Sequence, residues 1–143
     1  MADSHPKFDV SLVTPDGAAF DGEAEMIVVP GAAGEIGVLA RHAPLVATLK
    51  AGSTRIHLSP TEVVEFATGP GFFKVELDRA LALVDDAVSV KEIDDERVRA
   101  QLESAQAELE KLDAGDSTAD RWQLEQRVKH AENQLAVSGR TTG

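Results

Sequence analysis

Residues 30–52 read PGAAGEIGVLARHAPLVATLKAG, and this stretch decides the fold. Glycines fall at Gly31, Gly34, Gly37 and Gly52, and the apolar runs between them are too brief for helices. Gly34 to Leu39 reads as a turn feeding a short strand, because glycine reaches positive φ angles that other residues resist. In Ala43-Pro44 the proline drives the residue before it into an extended or turn conformation. Leu45 to Leu49 then makes a second short strand. Glu35 and His42 are left near strand ends, where side chains meet solvent or a partner.

Working outward, the same short-strand rhythm continues on both sides. Phe8, Val10 and Leu12 alternate with Asp9 and Ser11, the period-two mark of a half-buried strand over Phe8 to Val13. Thr14-Pro15-Asp16-Gly17 is a turn, with proline presetting φ and Asp-Gly tolerating the return. Ala24 to Val29 is a strand closed by Pro30-Gly31. Further strands are expected at Thr54 to Leu58, Glu62 to Ala67, Phe72 to Leu77 and Ala80 to Val84. Ser59-Pro60-Thr61 and Thr68-Gly69-Pro70-Gly71 provide turns between them. Turn signals every eight to twelve residues, with no helical pattern between strands, predict an antiparallel β-sandwich over residues 1–88.

Beyond it the hydrophobic period changes. After Ile93, the residues Val98, Leu102, Ala105, Leu109 and Leu112 succeed one another at spacings of four and three, one stripe of a helix. Asp94, Asp95 and Glu96 suit the positive end of its dipole, Lys111 the other end, and Gly115 its stop. Ser117 with Asp120 resembles a capping box opening a second helix. Leu124, Val128, Ala131 and Leu135 form its stripe, Trp122 lies beside it, and Ser138-Gly139 ends it. Residues 89–143 are therefore expected to form an antiparallel two-helix hairpin, with the boundary inside Asp85 to Glu92. Two such helices bury only part of their apolar faces against each other, so the hairpin needs a third surface.

Composition narrows the function. The 143-residue chain carries a formal net charge of −11, which disfavours phosphate-backbone and anionic-membrane binding. It has no cysteine, hence no disulfide, thiolate metal site or cysteine nucleophile. The start, Met1 to Pro6, lacks a signal-peptide pattern, and no apolar run is long enough to span a bilayer. A cytosolic protein is expected, peripheral to a membrane only through another subunit.

Chemistry is sparse. Gly31-x-x-Gly34-x-x-Gly37 lacks the Gly-Lys-Ser/Thr of a phosphate loop and enters a strand, so these are turn glycines. His5, His42, His57 and His130 are scattered, with no pair at metal-ligand spacing. Asp85-Asp86 and Asp94-Asp95-Glu96 are open to a general-acid or metal role, but a linker and a helix start explain them better. No serine stands in a nucleophile elbow. No catalytic residue, metal or cofactor is expected.

The runs Gly34-Glu35-Ile36-Gly37-Val38-Leu39, His42-Ala43-Pro44-Leu45-Val46 and Leu49-Lys50-Ala51-Gly52 resemble the signature of the epsilon subunit of F-type ATP synthases, equivalent to mitochondrial delta. Element order and length agree over essentially the whole chain. Ala40-Arg41 stands where the family commonly has Pro-Gly, and Gly69-Pro70-Gly71 where it commonly has adjacent glycines. Both are turn positions.

The resemblance implies a non-catalytic central-stalk rotor subunit, coupling proton flow through the c-ring to ATP synthesis. Its partners would be the gamma subunit, the c-ring and the alpha/beta catalytic head, with no nucleic acid and no direct membrane insertion. It would lie peripherally on the cytoplasmic face of the bacterial plasma membrane. By this resemblance Glu35, Ile36, Val38 and His42 contact the c-ring, Glu35 ahead of His42. The helix pair would be a mobile element inhibiting hydrolysis, with Arg97, Arg99, Arg121, Arg127 and Lys129 meeting the beta subunit when extended. The other reading of each cation is a helix-surface charge paired with nearby Glu and Asp. Asp94 and Arg97 match part of an ATP-binding motif, but Val98 replaces its alanine. His130 and Gln134 stand where strong binders carry arginine, so ATP binding is expected to be weak or absent. The alternative to the whole scheme is an unrelated β-domain adaptor with a helical-hairpin tail.

Overall fold

Alternation of buried and exposed side chains along short strands builds the first half of the chain. A computed structural model describes residues 5–115 and 120–142. The strands are β1 (Phe8–Thr14), β2 (Gly17–Ala24), β3 (Met26–Gly31), β4 (Gly34–Leu39) and β5 (Leu45–Leu49). They continue as β6 (Gly52–Ser59), β7 (Glu62–Thr68), β8 (Gly71–Glu76), β9 (Arg79–Val84) and β10 (Ala87–Ser89). A single 3-10 turn, Val90–Glu92, precedes the helices α1 (Asp95–Asp113) and α2 (Arg121–Thr142). The chain divides into Met1–Lys91 and Glu92–Gly143.

The strands hydrogen-bond in the order β10-β7-β6-β3-β5-β8-β9-β1-β2, with β4 paired to β3 off this path. The sheet folds over where β3 meets β5 through the single pair Gly31–Leu49. One layer contributes Ile27, Val29, Val38, Ile56 and Phe66 to the core, and the other Phe8, Val10, Leu12, Phe73, Val75 and Val84. Phe73, Leu12 and Ile27 are fully buried. Thr54 and Thr68 are also fully buried, and their hydroxyls bond each other at 2.9 Å, which satisfies both polar groups.

The β-sandwich and the hairpin follow the sequence reading, with differences in detail. β2 is a whole strand that composition hides: its Ala, Gly, Asp and Glu are poor strand formers, and pairing with β1 on one side holds it at the sheet edge. β3 begins at Met26, because Ala24 belongs to β2, and it runs through Pro30-Gly31. β1 pairs in parallel with β9, so the sandwich is not wholly antiparallel; no tight turn links these two strands to impose the antiparallel sense. β8 stops at Glu76, leaving Leu77 in the turn to β9. Within the expected linker, β10 pairs with β7.

Gly34 takes φ 141° at the β3–β4 turn, and a Cβ on Gly71 would lie 1.8 Å from the Leu83 carbonyl oxygen. The first is a conformational demand and the second a close approach of two backbones.

In the second unit Asp94 caps α1, accepting the Arg97 N–H at 3.2 Å, and Gly115 takes φ 78° just beyond the last turn. Val98, Ala105, Leu124, Ala131 and Val137 are buried. Ser117 lies outside the described residues. Asp120 itself caps α2, its Oδ1 accepting the Trp122 N–H at 2.9 Å. The helix passes through Ser138-Gly139 to Thr142, because Ser138 continues the buried stripe and gains a bond to Asp95.

Candidate docking site

β4 pairs with β3 and is off the main strand path, so it forms a ledge on the sandwich. Strand geometry sends alternate side chains to opposite faces. Glu35, Gly37 and Leu39 are exposed, with Leu39 42% accessible, while Ile36 is half-buried and packed on the core. Val38 is 0% exposed. It therefore lies in the sandwich interior and is withdrawn from the contact set that resemblance suggested. Glu35, Ile36 and Val38 mix both faces of β4, while His42 lies in the loop after it; parity counted from Glu35 gives Glu35, Gly37, Leu39, and the sequence already carried that signal.

Glu35 is held from the neighbouring layer positions. Arg55 on β6 reaches it at 3.2 Å, across β3, whose Val28 pairs with both Arg55 and Gly37. Arg55 also stands opposite Glu65 on β7, and Ser53 donates to Glu65 Oε2 at 2.5 Å. This link of residues twenty apart could not be read from spacing. At the other end of β4, His42 is exposed and its Nδ1 lies 2.6 Å from the Ala43 carbonyl. A carbonyl only accepts, so Nδ1 carries the hydrogen.

The outer face of the other layer is charged at one end, where Lys74 pairs with Glu76 and Arg79 with Asp9, and largely apolar at the other. Thr48, Phe72, Leu83 and Val13 stand directly opposite one another across β5, β8, β9 and β1. Phe72 is 61% and Leu83 46% exposed, and Val46 at 73% lies two residues along β5. A shallow depression of about 340 Å³ beside Leu83 is lined by Val13, Pro15 and Pro70. Sequence reading saw these as strand residues and missed the row, which exists only through register.

On the hairpin, Arg121 donates to Asp113 and also pairs with Glu125 at 3.9 Å. The hydrogen bond and charge of Asp113 raise the Arg121 pKa above its ordinary value. Among the described residues Arg97, Arg99, Arg127 and Lys129 are exposed and make no ion pair. The cations divide accordingly: one is committed within the hairpin and four are unpaired. Asp94 and Arg97 are both exposed, and the Asp94 carboxylate is already engaged in capping α1. Among the described residues no group of three His, Cys, Asp or Glu side chains could hold a metal, and no helix is long and apolar enough to cross a membrane.

Residues 7–90 match the family described as the ATP synthase delta/epsilon chain β-sandwich domain. An ATP synthase epsilon chain from Halalkalibacterium halodurans is 36% identical over 94% of this chain and 99% of its own length. The chain belongs to the epsilon-chain family of F-type ATP synthases. The epsilon chain of Rubrobacter xylanophilus is likewise 36% identical, covering 92% of each. A chain of the Euglena gracilis mitochondrial ATP synthase structure described as OSCP/F1/c-ring shares the fold, with TM-score 0.67 and 24% identity over 92% of this chain and 82% of its own. Membership in the epsilon-chain family sets aside an unrelated adaptor. The β-sandwich of the family is residues 7–90 here, so both the β4 ledge and the apolar row fall inside it.

Proposed function

We propose that this epsilon-family chain is a non-catalytic rotor subunit of the ATP synthase central stalk. Its sandwich joins the gamma shaft to the membrane-embedded c-ring, passing torque between ion flow through the ring and ATP synthesis at the alpha/beta head. The observation that carries this role is the β4 ledge with the loop after it, which present Glu35 and His42 outward in a chain of this family. The apolar row around Phe72 is the surface for the shaft, because exposed aromatic and aliphatic clusters mark protein contacts. The complex would sit on the cytoplasmic face of the bacterial plasma membrane, with this chain peripheral. In the assembled enzyme, Glu35→Cys should form a disulfide with a cysteine placed in the ring loops. Failure to cross-link, in an enzyme that still contains the chain, would remove the ring-docking role.

The hairpin is proposed as the regulatory part, lowering ATP hydrolysis when it extends toward the head. Support comes from the unpaired Arg97, Arg99, Arg127 and Lys129, which are open to an acidic partner. Shifting such a two-state tail from 1:99 to 99:1 takes about 5.5 kcal/mol of differential binding. A chain ended after Lys91, where the first unit closes, keeps β10 and should raise hydrolysis. An unchanged rate excludes inhibition by the tail.

A further inference from the structure

Three residues other than glycine hold a positive φ among the described residues: Arg41 at 66°, Leu77 at 51° and Asp78 at 60°. They meet at one place. The Arg41 N–H donates to Asp78 Oδ1 at 2.5 Å, linking the β4–β5 loop to the β8–β9 turn. Leu45 pairs with Val75, so β5 begins beside the point where β8 ends.

Leu77-Asp78 is a two-residue hairpin turn between the paired residues Glu76 and Arg79. Such turns need positive φ at both central positions and favour Asn, Asp or Gly there. Asp78 fits. Leu77 does not: its Cβ is crowded in the left-handed region, and at 88% exposure it gains nothing from burial. Strain held with no internal compensation points to an external use.

We propose that the β8–β9 turn is a second part of the ring-docking surface. Leu77 is its apolar contact, and Asp78 is a positioning residue that fixes loop 40–44 and thereby the exposed His42. It rests on the ring-docking role proposed for this face. The partner surface then offers an apolar depression for Leu77 beside polar groups for the imidazole of His42, whose Nδ1 is already committed to Ala43.

The chain has no cysteine, so His42→Cys and Leu77→Cys can be introduced singly into the full chain and assembled into the enzyme against cysteines in the ring loops. Cross-linking from both positions is expected. Cross-linking from position 42 but not 77 overturns the second contact and leaves the ring-docking role standing; cross-linking from neither removes both. In the His42→Cys background, Asp78→Asn keeps an acceptor and tolerates the left-handed backbone, whereas Asp78→Gly relaxes the backbone and drops the acceptor. Asp78→Gly should slow cross-linking about 10-fold, the equivalent of one charge-assisted hydrogen bond, while Asp78→Asn stays within about 3-fold. Asp78→Gly should not lower the unfolding temperature of the isolated chain, which separates positioning from folding. A rate unchanged in Asp78→Gly, or slowed equally in both variants, overturns the positioning role.

Discussion

Ser138 donates its hydroxyl hydrogen to Asp95 Oδ1 at 2.7 Å, joining the far end of α2 to the first turn of α1. At the opposite end of the hairpin Arg121 of α2 holds Asp113 of α1. The two helices are therefore pinned at both ends, which favours a hairpin that moves as one body over one whose helices separate. Ser138 is only 4% exposed, so its hydroxyl finds little water if the bond is lost. Ser138→Ala should destabilise the second unit by about 1.5–3 kcal/mol, the range for a hydrogen bond to a charged group. Urea unfolding of the full chain, followed by its helical circular dichroism, measures this. A loss below about 0.3 kcal/mol would mean that the contact is not made in solution.

Val38 and Glu35 are neighbours on one strand with opposite fates, and they should respond oppositely to truncation. Val38→Ala removes two methyl groups from a fully buried site, and at about 0.8 kcal/mol each plus a cavity term the loss is about 2–3 kcal/mol. Glu35→Ala breaks an exposed pair with Arg55, with side chains 59% and 33% accessible, and should change stability by less than about 0.5 kcal/mol. Denaturant midpoints of the two variants decide it. Comparable losses would place Val38 outside the core.

The contrast also marks what was legible in the chain. Strands with alternating apolar residues, such as β1 and β8, and helices with a stripe at three and four, such as α1, announce themselves because local period equals burial pattern. β2 does not, since GAAFDGEA has little intrinsic strand preference and is held by its pairing with β1. At the candidate site the exposed placement of Glu35 was legible, whereas its Arg55 partner is brought near by two strand registers. The Arg41–Asp78 bond spans 37 residues and uses a leucine where turn chemistry asks for Asn or Gly, so no local rule leads to it.

His57 gives the sandwich a pH dependence. Its pKa lies below the ordinary 6.5, chiefly because partial burial disfavours the imidazolium, with Arg55 adding repulsion and Glu25 opposing both. The unfolded chain then binds the proton more readily than the folded one between the folded pKa and 6.5. Stability should therefore fall as pH drops through that window and level off below it. His57→Gln should flatten this part of the stability profile. The proton titration of His57 followed by NMR checks the cause: a midpoint at or above 6.5 contradicts it.

The row of Thr48, Phe72, Leu83 and Val13 separates folding from assembly. Phe72 already faces solvent at 61% exposure, so Phe72→Ser should alter the isolated chain by no more than about 0.5 kcal/mol. If the gamma shaft covers this face, the same change withdraws on the order of 100 Å² of apolar contact. At about 25 cal/mol per Å² that is about 2–3 kcal/mol, or roughly 30- to 150-fold in affinity. Titration of the full chain into the enzyme depleted of it measures that affinity directly. Phe72→Ser and Leu83→Ser together should lose more than either alone, because the two side chains are directly opposed across β8 and β9 and share one contact surface. Undiminished affinity in the double variant would assign the shaft to another face of the sandwich.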